Sequence, residues 1–352
     1  MKVAIVNDSK LAAEILRRIV TSLPDFTLAW VAFSGEEALD LYAKARPDIV
    51  LMDLIMPGIG GAETTRRMMS TAPCVILVVT ATTAGNRDQV FEAMGHGALD
   101  AVNTPVMAQG NGIDGAEPLI QKLRTVARLA VKHPVLKVEN IPGRTSCTVD
   151  TSAVPIVAIG ASTGGPQALA EILSQLPSNF PAAVLVVQHV DEQFAPGLAT
   201  WLQRVASLPV ALARQGEPFA PGAVWIASGK EHLTYDSGIA YYTSAPRRAV
   251  HIPSIDVLFA SLALPHLVPR IGVLLTGMGR DGADGLLAMR NSGAFTIAQD
   301  EDSSVVYGMP RAAAELNAAH DILPLHAIAP HIVNLLTPAR HVVPIPQNTS
   351  RE

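Results

Sequence analysis

Cysteine is scarce. The 352 residues hold two, Cys74 ahead of an apolar strand and Cys147 in a polar stretch near the middle, too few for a disulfide framework and suited to a reducing cytoplasm. A cationic surplus is missing as well: the formal net charge is -5 and the pI is near 6.1. No basic footprint for nucleic acid exists. No apolar stretch approaches the roughly 18 residues needed to span a bilayer. Met1 leads straight into a strand ending in Asn7 and Asp8, so neither membrane insertion nor a signal peptide is expected. There is no low-complexity block, and no internal repeat survives a shift of the sequence. The length suits two domains at roughly 100 to 200 residues each.

What is present starts with VPIVAIGASTGGPQALAEIL, where an apolar run stops at a glycine, presents Ser162 and passes through two more glycines into an amphipathic pattern. This reads as strand, tight turn, helix. The G-x-S-x-G spacing of Gly160, Ser162 and Gly164 lifts the serine clear of the sheet, at the mouth where open α/β folds hold ligands. Similar turns also cradle phosphates without any nucleophile. A nucleophilic serine needs a base and a carboxylate to orient it. PAAVLVVQHV puts His189 at the end of another buried run, and RIGVLLTGMGRDGADGLLAMR puts Asp281 between a strand and the next helix. In a parallel sheet all three face one rim. The order Ser, His, Asp differs from that of α/β-hydrolases, which disfavours that fold but not the chemistry.

Taken singly, each residue has a plainer reading. His189 could be a satisfied strand-end group, and Asp281 an acid in a helix's first turn. Three reactive types at the ends of three separate strands point instead to one site. The rival is a dinucleotide fingerprint, with Gly277, Gly279 and Gly282 spelling G-x-G-x-x-G and Asp300 closing the strand AFTIAQD. It accounts for neither Ser162 nor His189, and it sets Asp281 against a pyrophosphate.

The first third is a separate unit. MKVAIVND ends in Asn7 and Asp8, DIVLMDL ends in Asp53, and CVILVVTA carries Thr80, with helical stretches between. Carboxylates gathered at a parallel sheet's carboxyl rim suit a hard cation such as Mg²⁺. Beside it an aspartate can accept a phosphoryl group whose oxygens bond the Thr80 hydroxyl. Simple strand-end caps are the alternative, and the grouping argues against it.

The expected organisation is α/β throughout: two doubly wound domains over 1–131 and 153–337, a linker over 132–152 and a flexible tail over 338–352. In the second domain PVALAR, AVWIAS, HLTYD and AYYT are short segments with turns between them, so an antiparallel hairpin is expected beside mainly parallel strands. In RRAVHIPSIDVLF, Arg247, Arg248 and His251 could contact an acidic surface or form a solvated face.

VNDS, LMDLIMPG, VVTA and GALDAVNTP resemble a response-regulator receiver, which has a flavodoxin-like fold. GASTGGPQAL, VQHV, PSIDVLF, LLTGMGRDGADGL and VVYGMPRAA resemble the CheB family of chemotaxis protein-glutamate methylesterases. The resemblance covers nearly the whole chain apart from the linker and tail. VNDS with AMGHGALDAVNTP further resembles the Wsp-type branch. The resemblance implies hydrolysis of glutamate γ-methyl esters on the cytoplasmic helices of methyl-accepting chemoreceptors, and deamidation of receptor glutamines. It implies a catalytic triad of Ser162, His189 and Asp281, and the esterase step is expected to need no cofactor; backbone amides of the glycine turns, those of Thr163 and Met278, could stabilise the oxyanion. In the receiver it implies phosphorylation of Asp53 by a CheA-type histidine kinase, Mg²⁺ on Asp8 and Asp53, and phosphoryl binding by Thr80. Phosphorylation would then relieve inhibition of the esterase.

Three positions depart from the receiver pattern. Thr104 stands where a lysine is usual, Ala101 where an aromatic is common, and Asn7 where a first acid is frequent. A receiver with a binding output is the other class of reading. A DNA-binding output lacks a basic recognition helix, and a pseudoenzyme adaptor on a receptor array is at odds with the intact Ser162, His189 and Asp281.

Overall fold

A computed structural model describes residues 1–81, 87–108, 112–129, 154–246, 251–263 and 269–337. The expected linker and tail, Cys147, Arg247 and Arg248 lie outside the described residues.

The first unit alternates β1 (Lys2–Val6), α1 (Lys10–Ser22), β2 (Thr27–Ala32), α2 (Gly35–Lys44), β3 (Ile49–Met52), α3 (Gly61–Thr71), β4 (Val75–Thr80), α4 (Arg87–Gly95) and β5 (Asp100–Asn103). A two-residue ribbon of β6 (Val106–Met107) and β7 (Ile113–Asp114) precedes α5 (Ala116–Leu129). Local chemistry starts the helices: the Ser9 hydroxyl caps α1 by accepting from Ala12 N–H at 3.3 Å, and α1 then buries Ile15, Leu16, Ile19 and Val20 on one stripe. The parallel strands lie in the order β2-β1-β3-β4-β5. The order reverses between β1 and β3, and the loops carrying Asp8 and Asp53 leave that point.

The second unit contributes β8 (Ile156–Ala161), α6 (Gly165–Gln175), β9 (Ala183–Gln188), α7 (Ala195–Val205), β10 (Val210–Leu212), β11 (Val224–Ile226), β12 (His232–Asp236), β13 (Ile239–Thr243) and α8 (Ile255–Leu262). It continues through β14 (Arg270–Leu274), α9 (Ala283–Asn291), β15 (Phe295–Gln299), α10 (Met309–Glu315), β16 (Asp321–Leu323) and α11 (Leu325–Leu336). Seven parallel strands run β10-β11-β9-β8-β14-β15-β16. Every residue of β8 and β9 is buried, as continuous apolar runs are when helices cover both faces of a sheet. Of the four short segments, only HLTYD and AYYT pair antiparallel, while PVALAR and AVWIAS join the parallel sheet, β10 at its edge and β11 between β10 and β9.

The two units share a packed boundary. Phe91 on α4 stacks on Trp201 on α7 with centroids 6.1 Å apart, and the Gln167 side chain donates to the carbonyls of Met94 and Ala98, each at 2.7 Å. No helix among the described residues is long and apolar enough to cross a membrane.

Candidate active site

The second sheet reverses its order between β8 and β14. Ser162 follows β8, His189 follows β9 and Asp281 lies in the loop after β14, so three adjacent strands deliver the three side chains to one rim. The serine's turn is tightly determined. Ser162 N–H donates to the Thr276 carbonyl at 3.0 Å, Gly165 N–H donates back to the Ser162 carbonyl at 2.8 Å, and Gly164 holds φ at +78°, which favours glycine. Gly277 permits the close approach of the neighbouring loop: a Cβ there would lie 2.6 Å from the Ser162 Cβ and 2.4 Å from Met309 Sδ.

His189 Nε2 lies 2.7 Å from Asp281 Oδ2, with side-chain exposures of 8% and 12%. Asp281 also accepts from the Ser254 hydroxyl at 2.7 Å, Ile255 N–H at 2.8 Å and Asp256 N–H at 3.2 Å. Burial pushes the Asp281 carboxyl up, but the bond to His189 and the donors at the start of α8 outweigh it and hold the group well below the usual carboxylate range. An ionised Asp281 accepts, so the bonded ring nitrogen carries the proton and His189 Nδ1 is left as acceptor. That Nδ1 is buried and has no hydrogen bond among the described residues. Ser162 is 9% exposed and makes no side-chain hydrogen bond to His189 among the described residues, a looseness common in resting sites.

Sequence reasoning missed what braces these groups. Gln188 is buried, and its Nε2 donates to the carbonyls of both Ser162, at 2.8 Å, and His189, at 3.1 Å. Strand-end polarity was its only signal. The loop before α8, which carries the donors to Asp281, is remote in sequence from all three strand ends. His251, noted for its charge, instead stacks on His189.

Thr163 is buried, and its hydroxyl donates to Asp100 Oδ2 of the first unit at 2.8 Å, where Lys122 is ion-paired with the same carboxylate. Met278 Sδ accepts from Thr125 Oγ1 on α5 at 2.6 Å. Both expected oxyanion residues therefore lie against the first unit. The dinucleotide motif is used otherwise. Gly277 packs on Ser162, and Asp300 Oδ1 accepts from Ser303 N–H at 3.0 Å and its hydroxyl at 2.6 Å.

On the other rim, Asp53 Oδ1 accepts from Leu54 N–H at 2.7 Å and the Thr80 hydroxyl at 3.1 Å. Burial raises the Asp53 carboxyl, these donors oppose the shift, and the Asp8 charge adds to it. Asp8 is exposed, whereas Asn7 is buried and its Oδ1 accepts from Ser9 N–H at 2.9 Å. Among the described residues no three His, Cys, Asp or Glu side chains gather as a metal cluster.

These two rims define a phosphoryl-receiver module joined to an α/β domain with a serine, a histidine and an aspartate at its switch point. Residues 3–110 match the response regulator receiver domain and residues 157–332 match the CheB methylesterase family. The chain is 50% identical over 334 residues to protein-glutamate methylesterase/protein-glutamine glutaminase 1 of Cupriavidus pinatubonensis, covering 95% of this chain and 97% of that one. It is 48% identical over 337 residues to protein-glutamate methylesterase/protein-glutamine glutaminase 3 of Pseudomonas aeruginosa, covering 95% and 99%. The Thermotoga maritima CheB methylesterase catalytic domain superposes with a TM-score of 0.50 at 35% identity, over 52% of this chain and all of that one. The chain belongs to the CheB family of receiver-linked protein-glutamate methylesterases.

Proposed function

We propose that this chain is a phosphorylation-regulated protein-glutamate methylesterase and protein-glutamine glutaminase acting on the cytoplasmic helices of methyl-accepting chemoreceptors. The buried His189–Asp281 pair beside Ser162 carries the reading. Ser162 Oγ attacks the side-chain carbonyl of the modified glutamate while His189 Nδ1 takes its proton. His189 returns the proton to the leaving group, methoxide from an ester or the amide nitrogen from glutamine, and methanol or ammonia departs. Water, deprotonated by His189, then splits the acyl-serine, giving the carboxylate and restoring Ser162. Asp281 orients the ring and balances its charge, and the Thr163 and Met278 amides face the oxyanion. None of these steps needs a cofactor.

In the receiver, Asp53 accepts the phosphoryl group from a CheA-type kinase. The hard oxygens of Asp8 and Asp53 fit Mg²⁺, and the mutual repulsion that helps raise Asp53 is what a cation would relieve. Bound there, Mg²⁺ supplies charge neutralisation for phosphoryl transfer. The Thr80 hydroxyl, already on Asp53, binds a phosphoryl oxygen. The contacts of Asp100 and Thr125 with Thr163 and Met278 support a receiver that covers the esterase mouth until phosphorylated. A cytoplasmic location follows if this substrate and kinase are the partners, with no role for nucleic acid or membrane insertion.

The test is methanol release from methylated receptor, with and without a phosphodonor. Ser162→Ala should lower kcat by at least about 10³-fold with an unchanged fold, as nucleophile knockouts do. Retention of more than about a few per cent of activity, far above a triad knockout, would refute the assignment.

A further inference from the structure

The segment from His251 to Asp256 reaches the site from outside the three strand ends. Its later members hold Asp281 through Ser254, Ile255 and Asp256. Its first member lies on the base itself: the rings of His251 and His189 are stacked, with centroids 4.2 Å apart and planes 21° from parallel. This matters because a single hydrogen bond fixes one corner of an imidazole and leaves the ring free to turn about it. Turning swings Nδ1, the nitrogen without a hydrogen-bond partner among the described residues, away from the serine. A flat group against one ring face blocks that motion.

We propose that His251 is a positioning residue that fixes the plane of the His189 imidazole so that Nδ1 stays directed at Ser162. The inference rests on the esterase reading above. The surroundings keep the stacked ring neutral. Burial lowers its proton affinity, His189 and Lys122 lower it further and Asp281 opposes them, bringing His251 to about 4. A neutral ring stays stacked when His189 takes the serine proton, whereas a charged one would repel it.

The experiment uses the full-length protein with phosphodonor and three readouts: methanol-release kinetics, the rate at which a fluorophosphonate labels Ser162, and the melting temperature. His251→Ala should lower kcat and the labelling rate together by roughly 10- to 100-fold, the scale of a small misplacement of a reacting group, with KM almost unchanged. His251→Phe keeps a flat ring without titratable nitrogens and should recover most of the labelling rate. Normal labelling in the alanine variant would overturn the proposal. So would a raised KM at unchanged kcat, which marks a substrate contact, or a folded phenylalanine variant as slow as alanine, which marks a need for the ring nitrogens. If the unmodified protein labels at Ser162 but releases no methanol, the substrate reading fails, and labelling still decides the role of His251.

Discussion

Asp256, in the first turn of α8, donates its N–H to Asp281 at 3.2 Å. Burial pushes its carboxyl up to about 6, the bond from Gly285 N–H at 2.7 Å opposes this, and the Asp281 charge adds to the rise. The sign follows. Between the unfolded value near 4 and the folded value near 6, the folded chain binds more protons, so stability falls as pH rises through that window. Asp256→Asn keeps an oxygen for Gly285 and removes the charge. It should raise the melting temperature above that of the unmodified protein at pH 7.5, with the difference fading towards pH 4; thermal melts across that range check it. Asp281 has the opposite sign. Its lowered carboxyl contributes stability above its unfolded value that is lost as pH falls through the folded one.

At the scale of elements, the site is a meeting of turns. The strand ends place Ser162, His189 and Asp281, but the hairpin and α8 hold Asp281. His232 on β12 accepts from Ser254 N–H at 2.9 Å, and the Ser254 hydroxyl both accepts from Val257 N–H at 3.4 Å to cap α8 and donates to Asp281. The turn after β14 is equally constrained. Gly277→Ala would drive a methyl into the Ser162 Cβ and the Met309 sulfur, so esterase activity should fall at least about tenfold. The stability loss should be about 1–3 kcal/mol, typical of overpacking. Parallel measurement of methanol release and denaturant midpoint distinguishes a displaced nucleophile from global unfolding.

At the scale of the whole molecule, one strand touches both rims. Thr104, just past the carboxyl end of β5, donates its N–H to the Thr80 carbonyl at 3.2 Å, while Asp100 at the other end of β5 accepts from Thr163. Asn103 donates to Asp191 at 3.0 Å, just beyond β9. A shift of β5 therefore acts on Thr163, next to Ser162, the proposed nucleophile. Asp100→Ala removes the acceptor for Thr163 and the partner of Lys122, and it should raise basal methanol release several-fold without a phosphodonor. An unchanged basal rate would mean that Asp100 is not part of the restraint. The absent lysine predicts a weak switch. Thr104 offers no ammonium to the phosphoryl group, a charge-assisted bond worth roughly 1.5 to 3 kcal/mol, and Ala101 offers no ring to swing inward. Thr104→Lys should enlarge the ratio of activities with and without phosphodonor. An equal or smaller ratio would show that the signal leaves Asp53 by another route.

Much of this was legible in the linear chain. Buried parallel strands announce themselves as unbroken apolar runs, and glycine spacing marks the turns that follow them, because both depend on neighbours within a few residues. Hence Ser162, His189, Asp281 and Asp53 could each be placed at a strand end, and the departures at Thr104, Ala101 and Asn7 could be read directly. Tertiary structure decided the rest. The sheet order set Ser162 between its partners, and α8 put Ser254 on Asp281. The loop before α8 laid His251 on His189, and the packing of the two units brought Asp100 to Thr163. Each of these contacts joins segments dozens of residues apart, and no local period encodes them. They arise only when separate apolar faces are buried together and their polar edges must find partners there.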